Sequence, residues 1–127
     1  MLELGKGYAF VGRQCRITIG GTPHYVDLVF YHYLLHCFVL IDLKTRQTNP
    51  GDVGQMNMYL NYFAEEENSD LENPPVGIVL GTKQNNAAIG LALGGITNNL
   101  LVTKYETLLP LKAELEAEIQ RVLEEEE

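Results

Sequence analysis

Two aspartates and a lysine stand where a core β-sheet has little room for charge. Tyr25-Val26-Asp27-Leu28-Val29-Phe30-Tyr31 and Cys37-Phe38-Val39-Leu40-Ile41-Asp42-Leu43-Lys44 are runs of β-branched and aromatic residues, and each carries one carboxylate. Gly-Gly-Thr-Pro precedes the first and Thr-Arg-Gln-Thr-Asn-Pro follows the second, so the two read as adjacent strands. Residues i and i+2 share a strand face, which points Asp42 and Lys44 the same way, roughly 7 Å apart along the chain. A buried charge is costly unless it is paired or coordinates a metal. A metal site accounts for all three residues. Simpler descriptions stand beside it: Asp27 as an edge or turn acid, and Asp42 with Lys44 as a same-face ion pair of little worth.

The elements that must position these residues follow from pattern. Leu2 to Gly7 reads as the end of a helix, stopped by its glycines, which suggests the later part of a longer chain. Tyr8–Val11 is a short strand, Gly12–Arg16 a polar interval, and Ile17–Ile19 a second alternating stretch. His24–Tyr31 and His36–Lys44 are the two long strands. Asn49 is placed to cap a helix with Pro50 at its first position. That helix carries Val53, Met56, Asn57, Leu60 and Phe63 as a stripe, with Gln55 and Tyr59 four apart on a neighbouring face. Glu65–Pro75 reads as an acidic loop, Val76–Leu80 as a buried strand, Asn85–Leu93 as a weak helix and Leu100–Val102 with Tyr105 as a last strand. Lys112–Glu127 reads as a charged helix with one apolar side. Strands followed by strand–helix alternation imply an α/β sandwich with a mixed sheet.

Composition narrows the field. A chain of 127 residues makes one domain, residues 1–127, with a real core. No apolar run nears the roughly 20 residues of a membrane helix, and the start lacks the pattern of a signal peptide. Cys15 and Cys37 match no zinc spacing and suit reduced thiols in a cytoplasmic protein. The net charge of −8 is unevenly spread: residues 1–62 carry +1 and residues 63–127 carry −9. The half with the acid pair is therefore mildly basic apart from it, which permits contact with phosphate. Arg13, Arg16 and Arg46 read as solvated, and His24, His32 and His36 as partly exposed residues that do not converge.

An acid on one strand, acid-x-lysine on the next and a helix bearing Gln-x-x-x-Tyr together resemble the PD-(D/E)xK nuclease superfamily. The blocks Gly5-Lys6-Gly7-Tyr8-Ala9-Phe10-Val11-Gly12-Arg13-Gln14, Tyr25 to His32, Ile41-Asp42-Leu43-Lys44-Thr45 and Gly54 to Tyr62 resemble the C-terminal nuclease domain of the YhcG-like bacterial family. The similarity continues through Asn73–Leu80 and Lys104-Tyr105-Glu106. Asp42 stands where that family's pattern has Glu, a position at which the superfamily takes either acid.

The resemblance implies a restriction-endonuclease-like sandwich, a mixed central β-sheet flanked by helices, and metal-dependent hydrolysis of a phosphodiester. It implies Asp27 and Asp42 as ligands of Mg²⁺ or Mn²⁺, aided by the carbonyl of Leu43 and by Glu3 at the place of an upstream helical glutamate. Lys44 would hold the attacking water, and Gln55 and Tyr59 would orient lysine, water or phosphate. It also implies another domain upstream. Two functions compete on these terms. One is a DNA endonuclease of restriction, repair or defence against foreign DNA. The other is an inactive nuclease-fold module that binds nucleic acid or mediates assembly. A homodimer would supply two sites for two strands.

Overall fold

The two acid-bearing runs form neighbouring strands, and a tight turn attaches a third. The computed structural model describes residues 3–4, 7–82 and 86–104. β1 (Glu3–Leu4), β2 (Tyr8–Ile19), β3 (Thr22–His32) and β4 (Cys37–Leu43) pair antiparallel in chain order. Gly20 and Gly21 join β2 to β3 with φ of 58° and 82°, the left-handed pair that a two-residue type I′ hairpin requires. β5 (Val76–Gly81) and β6 (Asn99–Lys104) add parallel strands beside β4, giving one six-stranded mixed sheet ordered β1 to β6. Parallel neighbours need crossovers. Helices α1 (Pro50–Tyr62) and α2 (Asn86–Leu93) lie in them.

Two expectations change. Leu2–Gly7 was expected to end a helix, but Glu3 and Leu4 form an edge strand, with Glu3 opposite Ala9 and Leu4 opposite Tyr8. The free edge of β2 offers N–H and C=O groups to the segment just before it, and that pairing outweighs helix propensity. Tyr8–Val11 and Ile17–Ile19 prove to be one strand of 12 residues. Its polar middle is tolerated because Arg13, Gln14 and Arg16 are solvent-exposed, and a bulge at Val11 shifts the register between Phe10 and Gly12.

α1 starts as its sequence demands. The Asn49 side chain accepts from the Asp52 N–H, and the Asp52 side chain accepts from the Asn49 N–H, a complete capping box with Pro50 at the first turn. Val53, Met56, Leu60 and Phe63 are buried as expected, and Tyr59 is buried with them. The helix then widens into a π-helical turn over Phe63–Glu67, where Asn68 N–H reaches Phe63 C=O at 2.9 Å; Glu65–Glu67 are thus helical rather than loop.

One apolar cluster (Val26, Val29, Leu40, Val53, Met56, Leu60, Val79) lies between α1 and the sheet. A second (Leu28, Phe30, Val39, Ile41, Ile78, Leu80) occupies the opposite face. α1 comes close to β5 because Gly77 has no side chain: a Cβ there would lie 2.7 Å from Met56 Cγ and 3.0 Å from Leu60 Cδ1. Among the described residues no helix is long and apolar enough to cross a membrane. Tyr105 and the helix expected at Lys112–Glu127 lie outside the described residues.

Candidate functional site

Alternation breaks at one rung of the β2–β3 ribbon. Residues two apart in a regular strand share a face. Yet Leu28 packs in the far cluster and Val26 in the helix-side cluster. Their rung partners are Arg13 and Cys15, and Cys15 packs in the helix-side cluster with Val26. Between these rungs lie Asp27 and Gln14, and Gln14 has a φ of 49°, in the left-handed region.

The β3–β4 ladder stops at the same level. Its last rung is Leu28 with Ile41, and beyond it side chains take over the backbone's hydrogen bonds. Asp27 Oδ2 accepts the Leu43 N–H at 2.8 Å, and Asp42 Oδ1 accepts the Asp27 N–H at 3.4 Å. Each strand's aspartate thus braces the other strand's backbone. Gln14 Nε2 donates to the remaining oxygen of Asp27 at 2.9 Å. On the other side of β4, the Lys44 N–H bonds Leu80 C=O at 2.7 Å, tying this corner to β5. N–H and C=O of one strand residue point the same way, so the carbonyl of Leu43 faces the Asp27 side, as its N–H does.

Asp42 is 3% exposed. Burial first, then the negative charge of Asp27, push its carboxyl up to about 6, against the weaker pull of the Asp27 N–H and of Lys44. Tyr59 on α1 lies within the field of both acids. Its burial and the charges of Asp42 and Asp27 raise the phenol to about 12, so at neutral pH its hydroxyl keeps its proton and can donate it in a hydrogen bond. The half-buried ring of His24 stands 5.9 Å from that of Tyr59, edge to face.

Lys44 is 22% exposed and lies between two carboxylates. Its Nζ is 3.9 Å from Asp52 Oδ1, and its charge also draws the Asp42 carboxyl down. Asp52 is held firmly: Arg46 Nη1 and Nη2 donate to its two oxygens at 2.9 and 2.7 Å, and the capping box adds the Asn49 N–H. Burial alone would raise its carboxyl, but Arg46, the Asn49 N–H and Lys44 together hold it below the ordinary range.

The backbone therefore gathers Asp27, Asp42, Leu43 and Lys44 at one corner, with Tyr59 facing them from α1 and half-buried Gln55 one turn before it. Glu3 does not belong to this group by position. It is a strand residue rather than a helical one, and its row runs through Ala9 to Tyr31, four residues along β3 from Asp27, roughly 13 Å. Two carboxylates and a carbonyl are hard oxygen donors, chemically suited to a small divalent cation that keeps several of its own waters. Among the described residues no group of three or more His, Cys, Asp or Glu converges.

Sequence reasoning passed over two residues of this corner and misjudged a third residue elsewhere on β3. Arg46 is exposed, as expected, and also clasps buried Asp52. The signal was available, since Asp52 stands three after the cap Asn49, the spacing of a capping box. Gln14 left no such signal, because nothing in a sequence marks a glutamine with positive φ. His32, expected to be partly exposed, is buried against Tyr8, ring centroids 4.6 Å apart, and its Nδ1 accepts the Leu35 N–H.

Comparison with known proteins bears on the family and the fold. Residues 1–123 match the family model described as the YhcG PDDEXK nuclease domain. The YhcG protein of Escherichia coli (strain K12) is 44% identical over 128 residues, covering 98% of this chain and 34% of that protein. This chain thus spans about a third of its relative's length. Among solved structures, a repair endonuclease from Pyrococcus abyssi superposes with a TM-score of 0.57 at 21% identity, over 77% of this chain and 38% of that one. EndoMS in complex with double-stranded DNA gives a TM-score of 0.56 at 21% identity, over 80% and 37%. At that identity the two structures establish the fold, which is restriction-endonuclease-like.

Proposed function

Since the chain belongs to the YhcG PDDEXK nuclease domain family, we propose that it is the nuclease part of a longer protein and hydrolyses phosphodiester bonds of DNA with Mg²⁺ or Mn²⁺. The observation that carries this reading is the crossed brace of Asp27 and Asp42 where β3 and β4 separate, with Lys44 beside it. Two neighbouring carboxylates at one corner of a core sheet, one of them buried, carry a desolvation and repulsion cost that a bound cation would relieve.

In this reading Asp27, Asp42 and the carbonyl of Leu43 hold the ion. When bound, it would neutralise charge on the phosphate and lower the pKa of a coordinated water. Lys44 donates a hydrogen bond to the attacking water or to a phosphate oxygen. Tyr59, protonated throughout the physiological range, donates toward the same space, and the Gln55 amide orients the phosphate from the helix. Exposed Arg16 lies directly across the ribbon from exposed Tyr25, a cation beside an aromatic face that suits a nucleic-acid strand. The EndoMS structure with bound DNA supports DNA as the polymer. We place the protein in the cytoplasm, where free Cys15 and Cys37 stay reduced, in restriction, repair or defence. A second copy would supply the second site that a double-strand cut needs.

The test is cleavage of labelled single-stranded, duplex, flap and junction DNA, and of RNA, with Mg²⁺ or Mn²⁺, beside EDTA and an Asp27→Asn variant. Cleavage of DNA that disappears in both controls is the expected result. Cleavage that persists in EDTA or in the variant defeats the metal site. Metal binding without cleavage of any substrate by the intact protein would transfer the assignment to an inactive nuclease-fold module.

A further inference from the structure

Gln14 holds a backbone conformation that glutamine rarely adopts. Its φ of 49° lies in a region populated by glycine and, among other residues, chiefly by Asn, Asp and His. Such outliers persist where the surroundings over-determine them, and they gather at active sites. The residue is solvent-exposed, so one hydrogen bond from it adds little to stability.

What the conformation does achieve is aim. Gln14 Nε2 donates to Asp27 Oδ1 at 2.9 Å while the Leu43 N–H donates to Oδ2 at 2.8 Å. A carboxylate only accepts, so the amide must present its nitrogen. With a donor on each oxygen, the Asp27 carboxylate cannot turn about its Cβ–Cγ bond without losing both. The second lone pair of each oxygen stays available.

We infer that Gln14 is a positioning residue: it fixes the Asp27 carboxylate for a divalent cation shared with Asp42, and the kinked rung of β2 exists to bring its amide there. This inference rests on the metal-dependent reading above. It assigns Gln14 no contact with substrate.

The experiment compares Gln14→Gly and Gln14→Met with the parent and with Asp27→Asn, all in the intact protein. Mn²⁺ affinity is read from the EPR signal of free Mn²⁺, thermal midpoint is read without metal, and duplex cleavage is read alongside. Glycine accepts the positive φ and methionine keeps the side-chain bulk, while both lack the donor. The expected result is a loss of Mn²⁺ affinity of about 10- to 100-fold in both variants, as for other outer partners of metal ligands. Gln14→Gly should keep or raise the parent's thermal midpoint. Either variant binding Mn²⁺ as tightly as the parent overturns the inference, as does an affinity loss that follows a lowered midpoint in both. If the parent binds no Mn²⁺, or Asp27→Asn binds it equally well, the metal-dependent reading itself fails and takes this inference with it.

Discussion

Asp42 and Asp52 stand ten residues apart and are equally buried, at 3% and 4% exposed, yet the fold treats them in opposite ways. Asp52 receives a bidentate arginine, a backbone N–H and a nearby lysine, and its carboxyl is held below the ordinary range. Asp42 shares that lysine's charge but receives only one long bond, from the Asp27 N–H, and the charge of another aspartate, and is pushed up to about 6. Burial is common to both, so partners decide the difference. Asp52 is a finished structural carboxylate that starts a helix. Asp42 is left short of positive charge, a deficit that a divalent cation would fill.

The largest effect that would break this contrast is on cleavage. Asp42→Asn should lower the rate at least about 100-fold, the upper end for residues that merely support metal ligands. A milder loss would make Asp42 dispensable and the contrast functionally empty. Stability should move the other way. Asp52→Ala removes one half of the capping box and the arginine's partner, and urea unfolding should show a loss of about 1–2 kcal/mol. Asp42→Asn should instead stabilise the metal-free protein at pH 8, by up to about 3 kcal/mol, the equivalent of its raised carboxyl.

The same pair should separate along pH. The folded state holds the Asp42 proton more tightly than the unfolded chain does. Metal-free stability therefore falls as pH rises from about 4 to about 6, and the gain from Asp42→Asn should be absent below pH 4 and complete above pH 7. Asp52 has the opposite sign: its contribution is present above the unfolded value and disappears as pH falls through the lower folded one. Thermal midpoints of parent and variants across pH 3–8 would show whether the two curves diverge so. Mg²⁺ at about 100 times its dissociation constant should restore about 2.7 kcal/mol to the parent and nothing to Asp42→Asn. The smallest effect concerns Lys44. Its contact with Asp52 at 3.9 Å is partly exposed, so Lys44→Met should cost less than about 1 kcal/mol in stability while cleavage is lost.

The half of this contrast that lies on strands was legible beforehand. Asp27, Asp42 and Lys44 could be read from two apolar runs and a period of two, because local pattern is enough to place i and i+2 on a face. Asn49 and Pro50 likewise announced the helix start. The other half depends on contacts that hydrophobic pattern does not announce. Arg46 finds Asp52 only once the β4–α1 connection folds back, and Glu3 becomes a strand only because β2 has an open edge. The reversal at Gln14 is a backbone choice with no side-chain signature. The site residues whose roles were taken from family resemblance, Gln55 and Tyr59, do sit on one helix, and the charges of the acids act on Tyr59.

The sheet's change from antiparallel to parallel pairing at β4 also has a kinetic consequence. β2, β3 and β4 close on turns of two and four residues, whereas joining β4 to β5 encloses residues 44–75. Three doublings of loop length add about 2 kcal/mol of closure entropy. The three-strand meander should therefore order first, carrying Asp27 and Asp42 into register before α1 lays Tyr59 over them. Pulsed hydrogen exchange during refolding should protect the amides of Phe30 and Val39 ahead of those of Val79 and Val102. The two acids would then meet while still open to water, and lose it only when the crossover closes.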